Sequence, residues 1–395
     1  MRGLSASAVV LGHVRGLFLV DYSEVNRPNR LHQVFYVVSG LGHQAVVVFF
    51  VLMSGFFIGH SVLGARATGT FSPRVYAMRR LTRLDVVLVP ALALTFAVDN
   101  LGIALFGASG TVYGGEVHAP QLELPVVSER LGLLPLLVAL AQLQHVFGLP
   151  EYGSNGPLWS LPYEFWAYAL FPALLYAVLG SGKLLTRAAT MAACVGLFIG
   201  ARSTLSLYFA IWLLGALVAW WWLRYGSVRS TKSLPRAVLV GALTLFALVV
   251  LVGRLRLLGN RFLEDLVVGA ATSLFVVALL QRKEAWCPSP WQRGSTWLAS
   301  ISYTLYLVHY PAIAFLHAGT LGSVRMQLTV PAMGAVVGLS VALVVAWAWP
   351  IAMVTERHTD RVRRWLEARL GGYPRRDARD RASGAARAEG RMGGG

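Results

Sequence analysis

Charge and cysteine are scarce in this 395-residue chain. Only 13% of residues are charged, against 56% hydrophobic, and there are two cysteines, Cys194 and Cys287. Two cysteines this far apart, one of them in an apolar run, exclude a disulfide framework and a cysteine zinc site. Nothing resembles a GxxxxGKS phosphate loop, so no nucleoside triphosphate is implied. Acidic residues number 18 against 35 basic ones, giving a net charge of +17. In a soluble protein that excess would suggest nucleic acid. Here the mean hydropathy of +0.59 and the long apolar runs point to membrane topology instead.

The apolar runs are long enough to cross a hydrocarbon core with about 20 residues each. They predict an all-α, polytopic membrane protein with about ten transmembrane helices, near residues 1–20, 43–63, 84–106, 158–180, 187–201, 205–224, 235–253, 262–281, 296–319 and 328–354. Leu131–Phe147 is a further apolar stretch, short and interrupted by Pro135, Gln142, Gln144 and His145. Charge decides its path. With it re-entrant or at the outer surface and the N-terminus cytoplasmic, 25 of the 35 basic residues fall inside and nine outside. A membrane domain at 1–354 and a basic cytoplasmic tail at 355–395, largely disordered from about residue 371, follow from this reading. The location expected is the bacterial inner membrane, with both termini cytoplasmic. Arg2 stands where a helix should already be under way, which suggests a first helix shortened by a downstream start.

The first helix carries Arg2 and His13 in an otherwise mostly small and apolar run. Charged and titratable residues are costly inside a membrane, so both are functional candidates. Eleven residues advance a helix by about 16.5 Å and through three turns plus about 20°, which puts both side chains on one face. Neutral histidine is matched to proton transfer near pH 7, and arginine to gripping a phosphate or carboxylate. The same residues would also fit an ordinary basic flank and a packing histidine. Glu164 lies early in a later span, which the ten-span topology puts in the outer half at the depth of His13. From there it could orient the histidine. Arg80 and Arg83 share a helix face at the cytoplasmic start of the third span, where they could grip CoA phosphates or simply mark the inner side.

Four separated stretches carry a resemblance: MRGLSASAVVLGH with Arg2 and His13, VVVFFVLMSGFFIG from Val46 to Gly59, SNGPLWSLPYEFW from Ser154 to Trp166, and SISYTLYLVHYP from Ser300 to Pro311. Together they resemble the acyltransferase 3 family of bacterial integral-membrane O-acyltransferases. RRLTRLDVVLVP from Arg79 to Pro90 is similar to that family's basic helix start, with Asp85 in place of an aromatic, and Met53 is an apparent insertion in the second stretch. Weaker similarity continues through ERHTDRVR near Arg363.

The resemblance implies transfer of an acyl group, most simply acetyl, from cytoplasmic acyl-CoA to a hydroxyl of a glycan, glycolipid or related acceptor. It implies His13 as general base with Glu164 as second catalytic residue, and Arg2, Arg80 and Arg83 at the donor. Trp159, Ser160, Ser302, Tyr303 and His309 are then expected to touch substrate. Acetyl-CoA or another acyl-CoA enters as donor substrate, with no permanently bound cofactor and no metal. The expected partners are the donor, a carbohydrate or glycolipid acceptor and the lipid bilayer, not nucleic acid. The competing class is a multi-pass transporter or exporter in which intramembrane Arg, His and Glu form a path. His43 and His60 are expected to be structural or interfacial, and His32 and His118 to lack a partner.

Overall fold

A computed structural model describes residues 2–117, 126–226, 235–281 and 289–369. The tail beyond residue 369, His118 and Cys287 lie outside them. Every named element among the described residues is helical. In chain order these are α1 (Arg2–Phe18), α2 (Arg30–Ser39), α3 (Gly42–Phe49), a π-helical stretch Phe50–Phe56, α4 (Phe57–Ala67), α5 (Pro73–Phe106), α6 (Leu133–Leu140) and α7 (Leu161–Leu179). They continue with α8 (Leu184–Gly200), α9 (Ser203–Tyr225), α10 (Arg236–Leu255), α11 (Arg261–Leu280), α12 (Ser289–Leu321), α13 (Val330–Val354) and α14 (Thr359–Arg369).

Among the described residues seven helical stretches are long and apolar enough to cross a membrane, rather than the ten expected. The other three expected spans are helical but fall short. Two of them, α1 and α8, have 17 residues each, and α7 has 19 residues diluted by Glu164, two prolines, three tyrosines and a tryptophan. α8 and α10 bury few side chains and turn leucine, valine and isoleucine outward, as lipid-facing helices do.

α6 explains the interrupted apolar stretch. Eight residues make about 12 Å of helix, too short to cross. Leu133 and Leu134 are 70% and 73% exposed, while the chain on either side folds back inward. The return is fixed by Asp99 of α5, fully buried, whose carboxylate accepts from the Ser154 backbone N–H and hydroxyl at 2.7 Å each. Asn155 Nδ2 then donates to the Thr95 hydroxyl (3.1 Å) and the Leu307 carbonyl (2.8 Å). The short 3-10 turn Gly156–Ser160 that starts α7 is consequently buried inside the protein.

α5 has 34 residues, about 51 Å of helix, more than a bilayer core requires. Ser72 caps its start, accepting from the Val75 N–H, and Pro73 occupies its first position, where no N–H is needed. Its surplus length carries the Arg79–Arg83 turn. α1 is central and packs on α3, α12 and α13. A Cβ at Gly42 would sit 3.3 Å from the Ala8 carbonyl, so a small residue lets α1 and α3 approach.

The π-helical stretch coincides with the apparent insertion at Met53. One extra residue in a helix widens a turn instead of shifting the whole register. The widened turn crosses α9 backbone to backbone: a Cβ at Gly55 would fall 2.1 Å from the Trp212 carbonyl, and one at Gly215 1.9 Å from the Val51 carbonyl. Ser54 Oγ accepts from Trp212 Nε1 at 2.7 Å, which satisfies a fully buried indole.

Candidate functional site

The N-terminal end of α1 meets the starts of α5 and α7 and the middle of α12 around a cavity of about 230 Å³. Arg2, Arg80 and Arg83 stand on its wall together with Glu164, Tyr168 and Ser302. Its deeper wall is formed by Ser160 and Tyr306 on one side and by Ala6, Phe49 and Phe50 on the other.

Each arginine is held by its flank. Arg80 lies over the Tyr76 and Tyr168 rings at 5.5 and 5.9 Å, and Arg83 over the Tyr303 ring at 5.5 Å. Arg83 also pairs with Glu356 at 3.2 Å, and Arg2 approaches the same Oε1 at 3.7 Å. Arg2 donates to the Ala299 carbonyl, which also accepts from the Ser302 hydroxyl. Three guanidiniums face Glu164 and Glu356, an excess of one positive charge. Among the described residues the buried Nε–H groups of Arg2 and Arg80 have no hydrogen-bond partner. Uncommitted donors on cations are what a phosphate-bearing ligand needs.

Glu356 was not singled out from the sequence, although it opens the ERHTDRVR stretch. It is held by the Thr304 N–H and hydroxyl, both at 3.1 Å, and so fixes the short turn after α13 against α12. α14 continues this bracing through an Arg79–Glu367 pair at 3.1 Å. Asp85 is only half-buried and is absent from the cavity wall.

Glu164 is not at the depth expected for it. It accepts a hydrogen bond from the Tyr168 hydroxyl and shares the cavity with Arg2, Arg80 and Arg83, away from His13. The physical reason is the inward fold of residues 152–160, which begins α7 inside the protein and carries Glu164 toward the arginine end.

His13 finds another partner. Its Nδ1 lies 2.8 Å from Nε2 of His309 on α12, with the rings stacked 5.1 Å apart. His309 Nδ1 lies 2.7 Å from the Tyr306 carbonyl. A carbonyl only accepts, so His309 carries its proton on Nδ1 and leaves Nε2 bare. His13 must then donate from Nδ1, and its own Nε2 keeps the lone pair. The chain of bonds thus fixes the ring of His13 and the nitrogen that can act as a base. Neither histidine is on the cavity wall. Tyr306 links the two regions, packing 5.8 Å from the His309 ring and exchanging a 2.6 Å hydrogen bond with Ser160.

Of the remaining expected residues, Tyr303 lines the cavity and donates to the Leu84 carbonyl at 3.2 Å. Trp159 does not line it. Its ring packs against Tyr163, Tyr208 and His145 at 6.0, 5.6 and 5.7 Å. His43 has a structural setting, its Nε2 2.8 Å from Asp265 and its Nδ1 3.0 Å from Arg261. His60 is exposed beside Phe56. His32, expected to be alone, helps cap α2 with Asn29 at 2.8 Å. Cys194 is a buried free thiol. Among the described residues no group of histidine, cysteine, aspartate or glutamate is arranged to hold a metal ion.

Helices that cross a membrane around a cavity with cationic and carboxylate walls define a polytopic membrane protein with an internal polar site. The profile of the acyltransferase 3 family, described as an acyltransferase domain, matches residues 1–349, and the chain belongs to that family. No curated protein and no solved structure matched the chain. The family and the membrane helices together make it a membrane acyltransferase.

Proposed function

We propose that the chain is an O-acyltransferase that moves an acyl group, acetyl in the simplest case, from acyl-CoA to a hydroxyl of a glycan or glycolipid. The phosphates of CoA would meet Arg2, Arg80 and Arg83, and its thioester arm would run along α1. Seven residues separate Ala6 on the cavity wall from His13, about 10.5 Å of helix. His13 Nε2 takes the proton from the acceptor hydroxyl as the oxygen attacks the thioester carbonyl. The C–S bond breaks, and the CoA thiolate recovers that proton from His13. Glu164 stands with the arginines, where its charge sets the balance of the donor end; it is not the partner of His13.

The observation that carries this reading is the bonded chain from Tyr306 through His309 to His13, which leaves a single basic nitrogen on the same helix as Arg2 of the cation-lined cavity. In this reading both termini lie on the cytoplasmic side of the inner membrane, and the arginine end faces the compartment that supplies acyl-CoA. Membranes carrying the protein should transfer label from [14C]acetyl-CoA to an extractable acceptor, and His13→Ala should abolish that transfer at equal protein level. Unchanged transfer by His13→Ala would refute the base assignment. Flux of a small molecule without any acylated product would favour an exporter.

A further inference from the structure

The chain turns where α13 ends, and the turn sorts its side chains. Thr355, Glu356 and Thr359 are buried, Glu356 carrying the pair with Arg83, whereas Arg357, Arg361 and Arg364 are exposed. α14 continues the division at helical spacing. Val362, Arg363, Leu366 and Glu367 are partly buried along one face, and Arg361, Arg364, Trp365 and Ala368 are exposed on the other. The inner face rests on α5, pinned there by the Arg79–Glu367 pair. The outer face and the end of α13 enclose a pocket of about 350 Å³, lined by Met353, Arg357, His358, Asp360, Arg361 and Arg364. None of these residues lines the cavity of Arg2, Arg80 and Arg83.

The pocket is short of negative charge. Residues 357–369 hold five arginines and two carboxylates, and both carboxylates are engaged: Glu367 with Arg79 at 3.1 Å and Asp360 with Arg363 at 3.3 Å. Arg369 lies over the Trp365 ring at 4.4 Å. Arg357 reaches the Met353 sulfur at 3.9 Å, and among the described residues no carboxylate pairs with Arg357, Arg361 or Arg364. Like charges gathered around one pocket repel, and an anion placed among them removes that cost. The planar fork of arginine suits phosphate in particular.

An apolar track leads into the same pocket. Leu339, Leu343, Trp347 and Val354 are exposed along one side of α13, a stripe about 22 Å long that ends beside Met353 on the pocket wall. Trp365, exposed next to the arginines, stands as an interfacial aromatic does. A soluble anion would need the charges alone; the stripe and the charges together fit a molecule with a phosphate and acyl chains. We propose that the pocket between α13 and α14 binds an anionic phospholipid, its headgroup phosphate among Arg357, Arg361 and Arg364 and its chains along the α13 stripe. Basic pockets beside membrane helices hold anionic headgroups in this way. The lipid then steadies from outside the turn that Glu356 holds from inside. This site depends on the chain lying in a bilayer and not on the acyl-transfer reading.

The test is native mass spectrometry of the full-length protein, delipidated in detergent and titrated with palmitoyl-oleoyl phosphatidylglycerol or with phosphatidylcholine of the same chains. Wild type should retain one phosphatidylglycerol at concentrations where phosphatidylcholine is lost. Arg361→Gln and Arg364→Gln should each weaken that lipid about fivefold, the effect of one arginine near a charged headgroup, and Arg361→Lys should keep most of the affinity. Arg224→Gln, at an exposed arginine on the last turn of α9, should leave it unchanged. Equimolar inorganic phosphate or acetyl-CoA should not displace the lipid. Equal retention of the two lipids, or unchanged phosphatidylglycerol affinity in both glutamine variants, would overturn the site. Displacement by phosphate would make it a free-anion site instead, and displacement by acetyl-CoA would assign it to the donor; either result also overturns the proposal.

Discussion

Replacing His309 separates the orienting function from the basic one. Its ring is fully buried and accepts the hydrogen bond that His13 Nδ1 makes, at 2.8 Å. His309→Ala removes that acceptor, so the His13 ring is free to rotate and to move its proton to Nε2, the nitrogen needed as base. It also leaves a buried N–H without a partner, at a cost of about 1–3 kcal/mol. General-base catalysis is worth about 10²–10⁴ in rate. With the base present but unfixed, kcat should fall by about 10–100-fold, while His13→Ala removes the whole contribution. His309→Gln keeps an acceptor for His13 and a donor for the Tyr306 carbonyl, so it should recover part of the loss. The assay is label transfer from acetyl-CoA in membrane vesicles, corrected for protein level. The KM for acetyl-CoA should stay at the wild-type value, because His309 is off the cavity wall. Wild-type kcat in His309→Ala, or a change confined to KM, would refute the orienting chain.

Three other outcomes follow from particular contacts. Arg80→Gln and Arg83→Gln should each raise the KM for acetyl-CoA about tenfold with a smaller effect on kcat, since a charge-assisted contact contributes roughly 1.5–3 kcal/mol; steady-state kinetics against donor concentration checks this. Gly215→Ala would place a Cβ 1.9 Å from the Val51 carbonyl, a backbone atom that cannot rotate away; overpacking of about 1–3 kcal/mol or more should cut the folded yield on fluorescence-detected gel filtration. Asp99→Ala strips two 2.7 Å acceptor contacts from Ser154, so proteolysis should cut within residues 126–155 at lower protease than in the wild type.

Local pattern made the helices and the arginine end readable, because hydropathy, the Arg2 to His13 spacing and the Arg80 and Arg83 pair are short-range features. Partners that meet only in three dimensions were not readable. His309 lies 296 residues from His13, and nothing in either helix specifies that their rings stack. Glu164 stands with Arg2 rather than with His13 because the Asp99–Ser154 and Asn155–Leu307 contacts draw the start of α7 inward, whereas hydropathy alone places the start of a span at the membrane surface. The number of spans differs because α1, α7 and α8 are shorter or less apolar than the other crossing helices, although their runs read as spans by composition. The extra residue at Met53 was visible, but its accommodation as a π turn depends on the close crossing with α9. Glu356 stood in plain view within a basic stretch that looked like a cytoplasmic flank.

The central claim is acyl transfer by a base on the first helix. The measurement that meets it most directly is mass spectrometry of envelope glycans and extractable metabolites from cells lacking the gene, complemented with wild type or His13→Ala. The account predicts one species heavier by a single acyl group, restored by wild type and not by His13→Ala. An unchanged glycan and metabolite profile across all strains, with the protein confirmed in the membrane, would contradict it.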